Sequence, residues 1–405
     1  MRNSELHKKL REDFDRFRFG LPRPLEEYIL DAYGFSLESI YGGHLIKNPF
    51  GKASGQLSLN PHQVQNDVEA GLGFVVLKTV IAEDATGEQS MKAWAIPEAR
   101  MKVEPIEARR PDATEQQGWT VTWKGRGWSG TLEEYLAFFD EALKIAGGKN
   151  TLIVPSCKYH LPSPEESEWR TDEYVHTTKA LLSIWRKCST APMPIEKDFS
   201  PTLAGDAHFS RIKEQILLWL RMVPELMRAS VEPDFLMIGL KLFNAQFDDE
   251  FQREILNTVE AAPRSARADY IIYGNRLFDP LKEFDGKVGV AYGGPDLSAR
   301  NLATLRTRKT GTLPISATGD ILTGKKAFEY MRAGATSFQM HTLFQLPDSE
   351  FTMQTGSRTE RALHRLLFHP EHGFIFSVIE AISTADLRRG VGIVELSKIF
   401  ETSSH

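Results

Sequence analysis

The chain has 405 residues, of which 41% are hydrophobic and 25% charged, a composition typical of a folded globular protein and too apolar for a disordered one. Its formal net charge of −5 excludes the strongly basic surface with which nucleic-acid-binding proteins neutralise phosphates. The two cysteines, Cys157 and Cys188, exclude a disulfide framework and a four-thiolate iron–sulfur cluster, and they indicate a reducing compartment such as the cytoplasm.

The first 45 residues are predicted to form a helical extension. Within residues 1–18 the apolar side chains of Leu10, Phe14 and Phe17 recur at helical spacing among charged ones. This amphipathic helix either packs on the rest of the chain or a partner, or lies on a membrane surface, where anionic lipid would repel its acidic residues. No uninterrupted apolar run approaches the roughly 20 residues that cross a bilayer, so no integral membrane segment is predicted.

Residues 46–358 alternate short apolar strands with longer helical patterns, as parallel α/β proteins do. The predicted strands are Lys47–Ala53, Phe74–Val80, Thr151–Pro155, Pro194–Phe199, Phe235–Leu242, Tyr270–Asn275, Val288–Ala291, Leu313–Ala317 and Ser337–Met340. The predicted helices are Pro61–Ala70, Thr131–Ile145, Thr171–Trp185, His208–Met227, Asp249–Ala261, Leu297–Lys309 and Gly324–Ala333. This alternation predicts a (β/α)₈ TIM barrel, and the absence of a Gly-x-Gly-x-x-Gly run after a strand disfavours an open doubly wound sheet.

Two long insertions and a C-terminal extension interrupt or follow this alternation. Residues 81–130, after strand 2, are polar and rich in Trp, Gly and Arg, and residues 160–170, after strand 3, form an acidic loop. Residues 359–405 show helical patterns over Glu360–Phe368 and Phe374–Ala385, followed by a short closing helix. We expect these helices to pack on the barrel, and a homodimer formed through them is one alternative that the sequence leaves open.

Polar side chains end several predicted strands, at the edge where TIM barrels carry their active sites. Lys78 and Thr79 end strand 2, Lys241 ends strand 5 and Asn275 ends strand 6. Taken singly, each of these residues could be a buried polar group whose hydrogen bonds are satisfied within the core. A lysine could instead lie at the surface and extend its ammonium group to water. Taken together they predict a site, and a buried lysine in it requires an anionic ligand to offset its lost hydration.

Small-residue loops are the other candidate ligand-binding feature. Residues 48–55 contain Gly51 and Gly55, which suit either a tight turn or the close approach of a large flat group. Residues 313–324 and 333–342 contain strands 7 and 8 together with loops of small residues. Such loops are either ordinary turns or the phosphate pocket of a TIM barrel, in which backbone N–H groups hold the anion.

The order of these motifs resembles the dihydroorotate dehydrogenase family of FMN-dependent TIM barrels. The matching pattern runs from Asn-Pro-x-Gly-x-Ala-x-Gly at Asn48, through Lys-Thr, Lys-Leu, Asn and Gly-Gly, to Ala-Gly-Ala-x-x-x-Gln-x-x-Thr at Thr342. The resemblance implies an FMN-dependent oxidoreductase of pyrimidine metabolism. Such an enzyme moves a hydride between a CH–CH or activated C=C substrate, such as dihydroorotate, and N5 of FMN. No metal is implied.

The same resemblance implies which residues hold the cofactor. Those for the flavin ring are Ala53, Ser54, Gly55, Lys78, Thr79, Lys197 and Lys241, and those for the phosphate groove are Gly293, Gly294, Thr318, Gly319, His341 and Thr342. Lys241 would lie near N1 and the C2 carbonyl of the flavin. A fixed ammonium there stabilises the negative charge that arrives with the hydride.

The family's catalytic base is a Ser or Cys on the loop after strand 4, and two residues here are candidates. Ser200 precedes Pro201 and lies 41 residues before Lys241, close to the family's spacing, whereas Cys157 lies 84 residues before it. Ser200 is the favoured base because it leaves residues 151–155 as strand 3. A serine is a weak base, so a water or a neighbour must activate it. Lys78 and Asn275 complete the predicted catalytic set.

The chain departs from the family where the substrate binds. Lys197 and Thr202 replace two asparagines that flank the base, and the insertion after strand 2 carries Lys124 and Arg126 in place of an Asn-rich loop. Asn275 alone clearly remains of the amides that grip a pyrimidine. An amide offers donors and an acceptor whereas a lysine offers only donors, so an anionic small-molecule substrate is predicted. The particular substrate and the electron acceptor stay open.

Two further functions are compatible with parts of the pattern. A lyase that forms a Schiff base through Lys241 or Lys78 accounts for the strand-end lysines and the phosphate loops, but not for residues 48–55 or the Gly-Gly pair. A non-catalytic flavin-binding relative accounts for the missing asparagines. Bound flavin makes a protein yellow, so colour separates the lyase from the other two.

Overall fold

The computed structural model describes residues 2–95, 100–124, 127–166, 168–199, 209–244, 248–284, 286–308, 311–382 and 389–402. The helices in this part of the chain are α1 (Arg2–Arg16), α2 (Leu25–Tyr33), α3 (Pro61–Ala70), α4 (Leu132–Ala146), α5 (Thr171–Trp185), α6 (Phe209–Ala229), α7 (Asp249–Ala261), α8 (Pro295–Arg306), α9 (Gly324–Arg332), α10 (Arg358–Phe368), α11 (Phe374–Ile382) and α12 (Ile393–Thr402). The strands are β1 (Ser39–Tyr41), β2 (His44–Ile46), β3 (Phe50–Lys52), β4 (Phe74–Val76), β5 (Val80–Ile81), β6 (Arg100–Glu107), β7 (Gln117–Lys124), β8 (Leu152–Val154), β9 (Ser156–Lys158), β10 (Met193–Asp198), β11 (Leu236–Lys241), β12 (Tyr270–Tyr273), β13 (Leu277–Phe284), β14 (Lys287–Tyr292), β15 (Ile315–Thr318) and β16 (Ala335–Met340).

The main sheet closes on itself as a TIM barrel. Its strand order is β5-β9-β10-β11-β12-β15-β16-β3-β4-β8, and the neighbours pair in parallel. β4 and β5 are two segments of one stretch of chain, as are β8 and β9, so the two ends of this order meet and the sheet has eight positions. Helices separate successive barrel strands and cover the outside, which confirms the predicted fold.

Most of the predicted elements coincide with observed ones because their boundaries carry local signals. Asn60 accepts a hydrogen bond from the backbone of Gln63 at the start of α3, and Asp248 accepts one from that of Phe251 at the start of α7. The prediction of a barrel strand over Val288–Ala291 is wrong. This segment lies in β14, which pairs antiparallel with β13 in a hairpin outside the barrel. A short apolar run has the same pattern in a hairpin strand and in a barrel strand.

The N-terminal extension contains a hairpin besides its helices. β1 and β2 pair antiparallel, and Tyr41 on β1 stacks on Phe74 with ring centroids 4.2 Å apart. The Tyr41 hydroxyl donates to the Glu196 carboxylate, which also accepts a hydrogen bond from Gln339. The hairpin therefore fills the barrel interior at the end opposite to the carboxyl ends of the strands. The sequence pattern predicted only helices here.

The terminal helices pack on one another beside the barrel. α1 contacts α10 and α11, and the ring of His364 stacks on that of Phe14 at 4.7 Å while its Nε2 lies 2.9 Å from the Phe14 carbonyl oxygen. Within the described ranges, no helix combines the length and the apolar character needed to cross a bilayer.

A buried ion pair joins the barrel to these helices. The Lys52 ammonium on β3 donates to Asp67 on α3 at 2.5 Å and to Thr359 on α10 at 3.2 Å, and the Thr359 hydroxyl donates to the same carboxylate at 2.6 Å. Burial raises the pKa of Asp67 in spite of the ammonium beside it. Removing one charge from such a pair leaves the other without compensation.

Lys52→Met is expected to destabilise the fold by about 3–5 kcal/mol, because it leaves the Asp67 carboxylate buried and unpaired. The double variant Lys52→Met, Asp67→Asn should be more stable than the single one. Lys8→Met, which removes an exposed pair with Glu12, is the control and should change stability by less than about 1 kcal/mol. Urea unfolding followed by circular dichroism measures all three, and equal midpoints for Lys52→Met and Lys8→Met would contradict the prediction.

Candidate functional site

Strand alternation decides which side chains enter the mouth of the barrel. Asp198 on β10 is the register partner of Lys241 on β11, so the two side chains share a face, and the preceding residue, Lys197, pairs with Leu240. Leu240 belongs to the core between the sheet and the helices. The Lys197 ammonium accordingly donates to the carbonyl oxygens of Tyr159 at 3.3 Å and Asp198 at 3.2 Å. The structure therefore does not bring Lys197 to the face that Lys241 occupies.

Buried cations gather at the carboxyl ends of neighbouring strands. Lys78, Lys158 and Lys241 are each at most 4% exposed. Burial lowers the pKa of Lys78 to about 8, the Asp198 carboxylate opposes that shift, and the ammonium groups of Lys241 and Lys158 add to it. Burial likewise lowers the pKa of Lys197 to about 7. Cations that repel one another in a dehydrated site favour an anionic ligand.

A chain of hydroxyl groups lies beside these cations. The Ser54 and Thr79 hydroxyl oxygens are 2.9 Å apart, and that of Thr79 is 3.0 Å from the hydroxyl of Ser156. The backbone N–H of Ala53 donates to the carbonyl oxygen of Met340 at 2.9 Å. This hydrogen bond attaches the small-residue segment that begins at Ala53 to the end of β16. Ala53, Ser54 and Thr79 thus lie together, and they present small side chains and hydroxyl groups.

Gly55 and His341 are in direct contact. A Cβ atom on Gly55 would lie 2.5 Å from Cδ2 and 2.6 Å from Nε2 of the His341 ring, so only glycine fits there. Burial lowers the pKa of His341 to about 3, and the positive charges of Arg276, Lys52 and Lys78 add to the shift. The imidazole is therefore neutral at physiological pH.

The predicted phosphate groove lies under the β6–β7 hairpin. The N–H of Gly293 donates to the Thr120 hydroxyl at 2.9 Å, and a Cβ on Gly294, whose φ is +105°, would lie 2.6 Å from a methyl carbon of Ile106. Gly319 has a φ of +99°, and a Cβ there would lie 2.7 Å from the Gly274 carbonyl oxygen. Thr342 begins a short 3₁₀ helix, Thr342–Gln345, which contacts β7. The glycines after β14 and β15 are therefore packed closely against their neighbours, and Gly293 and Gly294 are covered by the β6–β7 hairpin.

The segment directly after β12 carries an amide, on Asn275, and a guanidinium, on Arg276. The N–H of Asn275 donates to Leu242 at 3.1 Å, and its side chain is partly exposed. The guanidinium of Arg276 donates to the carbonyl oxygens of Ala291 at 2.9 Å and Val121 at 3.2 Å. It therefore connects the end of β12 to both hairpins. Thr318, the last residue of β15, lies next to this segment, because its carbonyl oxygen accepts a hydrogen bond from the backbone N–H of Gly274 at 3.3 Å.

The predicted base, Ser200, lies outside the described residues, as do Thr202 and Arg126. The alternative base, Cys157, is fully buried in the core between sheet and helices. Burial raises the pKa of the Cys157 thiol to about 12, so this thiol is a poor base. Of the two candidates, Ser200 stays the prediction.

Sequence reasoning missed three charged groups of the mouth: Asp198, Lys158 and Arg276. The alternation along β10 was the available signal for Asp198, since the side chains of Glu196 and Asp198 share one face and that of Lys197 takes the other. The ammonium of Lys158 lies 4.4 Å from the centre of the Trp94 ring, in the insertion after strand 2. No periodicity predicts a contact between a strand end and an insertion of that length.

Comparisons with known proteins define the class of fold. No protein-family model matches the sequence, and none of the curated proteins compared with it is a match. Among solved structures, the chain is similar to the crystal structure of DHODH, a dihydroorotate dehydrogenase, from Eimeria tenella in complex with ferulenol. The TM-score is 0.57 with 14% sequence identity, and the match covers 88% of each chain. This chain therefore has the TIM-barrel fold of that DHODH.

Gly55→Ala is expected to destabilise the protein by about 1–3 kcal/mol, because its methyl group would overlap the His341 ring. The double variant Gly55→Ala, His341→Ala should recover part of that loss. Gly20→Ala is the control, since a Cβ there meets nothing within 4 Å. Urea unfolding compares the three, and a Gly55→Ala midpoint equal to that of Gly20→Ala would show that the contact does not exist.

Proposed function

We propose that this protein is an FMN-dependent oxidoreductase of the dihydroorotate dehydrogenase type that acts on an anionic small molecule. The observation that carries the proposal is the pairing of buried cations, Lys78 and Lys241, with the small-residue segment Ala53–Gly55 at the carboxyl ends of the barrel strands. A flat ring that accumulates negative charge needs small residues that let it approach the backbone and cations that offset the charge. The shared fold with a DHODH supports the proposal independently.

Several described residues suit the ring of a flavin mononucleotide. Ala53 has a small side chain that a flat ring would approach closely, and the hydroxyl groups of Ser54 and Thr79 would offer hydrogen bonds to the edge of that ring. Gly294 and Gly319 are the residues that would lie beside the phosphate, and a side chain at either position would overlap its neighbours. When bound, FMN supplies an acceptor for the hydride that leaves the substrate.

The chain's own residues divide the remaining work. The ammonium of Lys241 would offset negative charge on the bound ring, and Lys78, which interacts electrostatically with Lys241 and Asp198, would add to that effect. The Asn275 amide orients the substrate. Ser200 takes the proton from the carbon next to the one that loses the hydride, with a water or a neighbour receiving the proton of the serine.

The principal test is anaerobic reduction. The purified protein should be yellow, and its visible absorption should bleach when dihydroorotate or a related unsaturated or cyclic acid is added without oxygen. Lys241→Met should retain less flavin or bleach about 10²-fold more slowly, because the charge at the ring is no longer offset. Lys187→Met, which removes an exposed ammonium near Asp140, should behave as the unaltered protein does. A colourless protein, or equal rates in the two variants, would contradict the proposal.

One observation favours a Schiff-base lyase as the second candidate. Burial lowers the pKa of Lys78 to about 8, so part of the amine is uncharged and nucleophilic near neutral pH. A colourless protein that borohydride links covalently to a carbonyl substrate would support this alternative. A yellow protein that no substrate bleaches would instead support a flavin-binding relative without catalysis.

Binding of an anionic ligand should depend on the charge of Lys78. Its pKa lies near 8, so the ammonium is present below that pH and is lost above it. Orotate binding to the FMN-saturated protein, measured by the shift of the flavin spectrum, should therefore weaken as the pH rises through about 8. Lys78→Met should bind more weakly at pH 7 and lose this dependence. An unchanged pH profile in that variant would exclude Lys78 as the group that titrates.

A further inference from the structure

Asp198 carries a carboxylate on the face of the sheet that lines the barrel mouth. It ends β10, and its register partner on β11 is Lys241. On the other side of β10, Cys157 of β9 pairs with Lys197, so the next residues along these two parallel strands, Lys158 and Asp198, are neighbours. The side chains of neighbours in adjacent parallel strands share one face of the sheet. Asp198 therefore lies in a row between two lysines, Lys158 and Lys241.

The main chain holds Asp198 in this row. The N–H of Phe199 donates to the carbonyl oxygen of Lys241 at 3.2 Å, and the ammonium of Lys197 donates to the carbonyl oxygen of Asp198 at 3.2 Å. Asp198 is partly exposed, whereas Lys158 and Lys241 are at most 3% exposed. The aspartate is therefore the most accessible residue of the row.

Two other side chains in the barrel that can accept a proton are less suitable than Asp198. Glu196 shares the face of Asp198 but is fully buried one step deeper, where its carboxylate accepts hydrogen bonds from Tyr41 and Gln339. Burial and the surrounding cations lower the pKa of His341 to about 3, because a proton there adds another positive charge. A proton on Asp198 instead yields a neutral carboxyl group.

The cations around Asp198 connect its charge to that of the proposed flavin ring. Asp198 opposes the fall in pKa that burial causes at Lys78 and Lys197, so its carboxylate interacts with both ammonium groups. These cations and Lys241 keep the carboxylate ionised before the reaction, as a proton acceptor must be. Negative charge that arrives on the ring attracts the same cations. The proton affinity of Asp198 therefore rises as the proton leaves the substrate.

We propose that Asp198 is the final acceptor of the proton that leaves the substrate. The inference rests on the proposed function, which gives the first proton transfer to Ser200 and leaves the acceptor of the serine's proton open. One C–H bond of the substrate breaks and its hydrogen leaves as a hydride to FMN, while the electron pair of the neighbouring C–H bond forms the C=C bond. The proton of that second bond passes to Ser200 and the serine O–H proton passes to Asp198. The substrate is oxidised, FMN is reduced, and the carboxylate becomes a neutral carboxyl group.

The principal test is Asp198→Asn, which keeps the size of the side chain but cannot accept the proton. With the acid that bleaches the unaltered protein, its anaerobic bleaching rate at saturation should fall by about 10²–10⁴-fold. Its flavin content and its dissociation constant for orotate, measured by the shift of the flavin spectrum, should change far less. Asp234→Asn is the control, because it removes an exposed carboxylate that lies 3.4 Å from the Arg264 guanidinium.

A second pair of variants, Asp198→Glu and Asp198→Gln, decides if Asp198→Asn does not fold. The two side chains match in size and only glutamate accepts a proton, so Asp198→Glu should bleach faster.

Equal bleaching rates at saturation in Asp198→Asn and Asp234→Asn, or in the second pair, would overturn the inference and leave the proposed function intact. So would a loss confined to flavin content or orotate affinity, which indicates a structural role. If no acid bleaches the unaltered protein, the proposed function fails, and the inference fails with it.

Discussion

The ligand preference of the barrel mouth depends on one free-energy cost, that of keeping lysine ammonium groups away from water. Lys78, Lys158 and Lys241 end strands of a closed sheet, where burial removes their hydration, and Asp198 is the carboxylate that opposes the pKa shift of Lys78. A negatively charged occupant relieves this cost. The small residues Ala53 and Gly55 and the neutral His341 lie at the same end of the barrel as these lysines.

The fold was predictable because its signals are local and repeated. Period-two apolar runs, helical patterns and capping residues such as Asn60 and Asp248 recur along the chain, and each limits the alternatives independently. The errors lie where one local pattern has two tertiary solutions. Val288–Ala291 suits a hairpin as well as a barrel strand, and neither the β1–β2 hairpin nor the β6–β7 hairpin is required by the barrel's alternation.

The candidate site was predictable in outline and not in detail. Polar residues at strand ends are visible in the sequence, so Lys78, Lys241 and Asn275 could be selected from their positions along the chain. The face of the sheet that a side chain occupies depends on strand register. The resemblance to the family selected Lys197, whereas the alternation along β10 puts Asp198 on the same face as Lys241.

Arg276 has a consequence for how this protein can diversify. Its guanidinium holds the two hairpins through main-chain carbonyl groups, those of Ala291 and Val121, rather than through side chains. Substitutions along either hairpin leave those carbonyl groups in place. The side chains of the hairpins can therefore change without loss of the hydrogen bonds that attach the hairpins to the barrel. Selection for a new small molecule can therefore act on the hairpins while the cylinder beneath them stays constant.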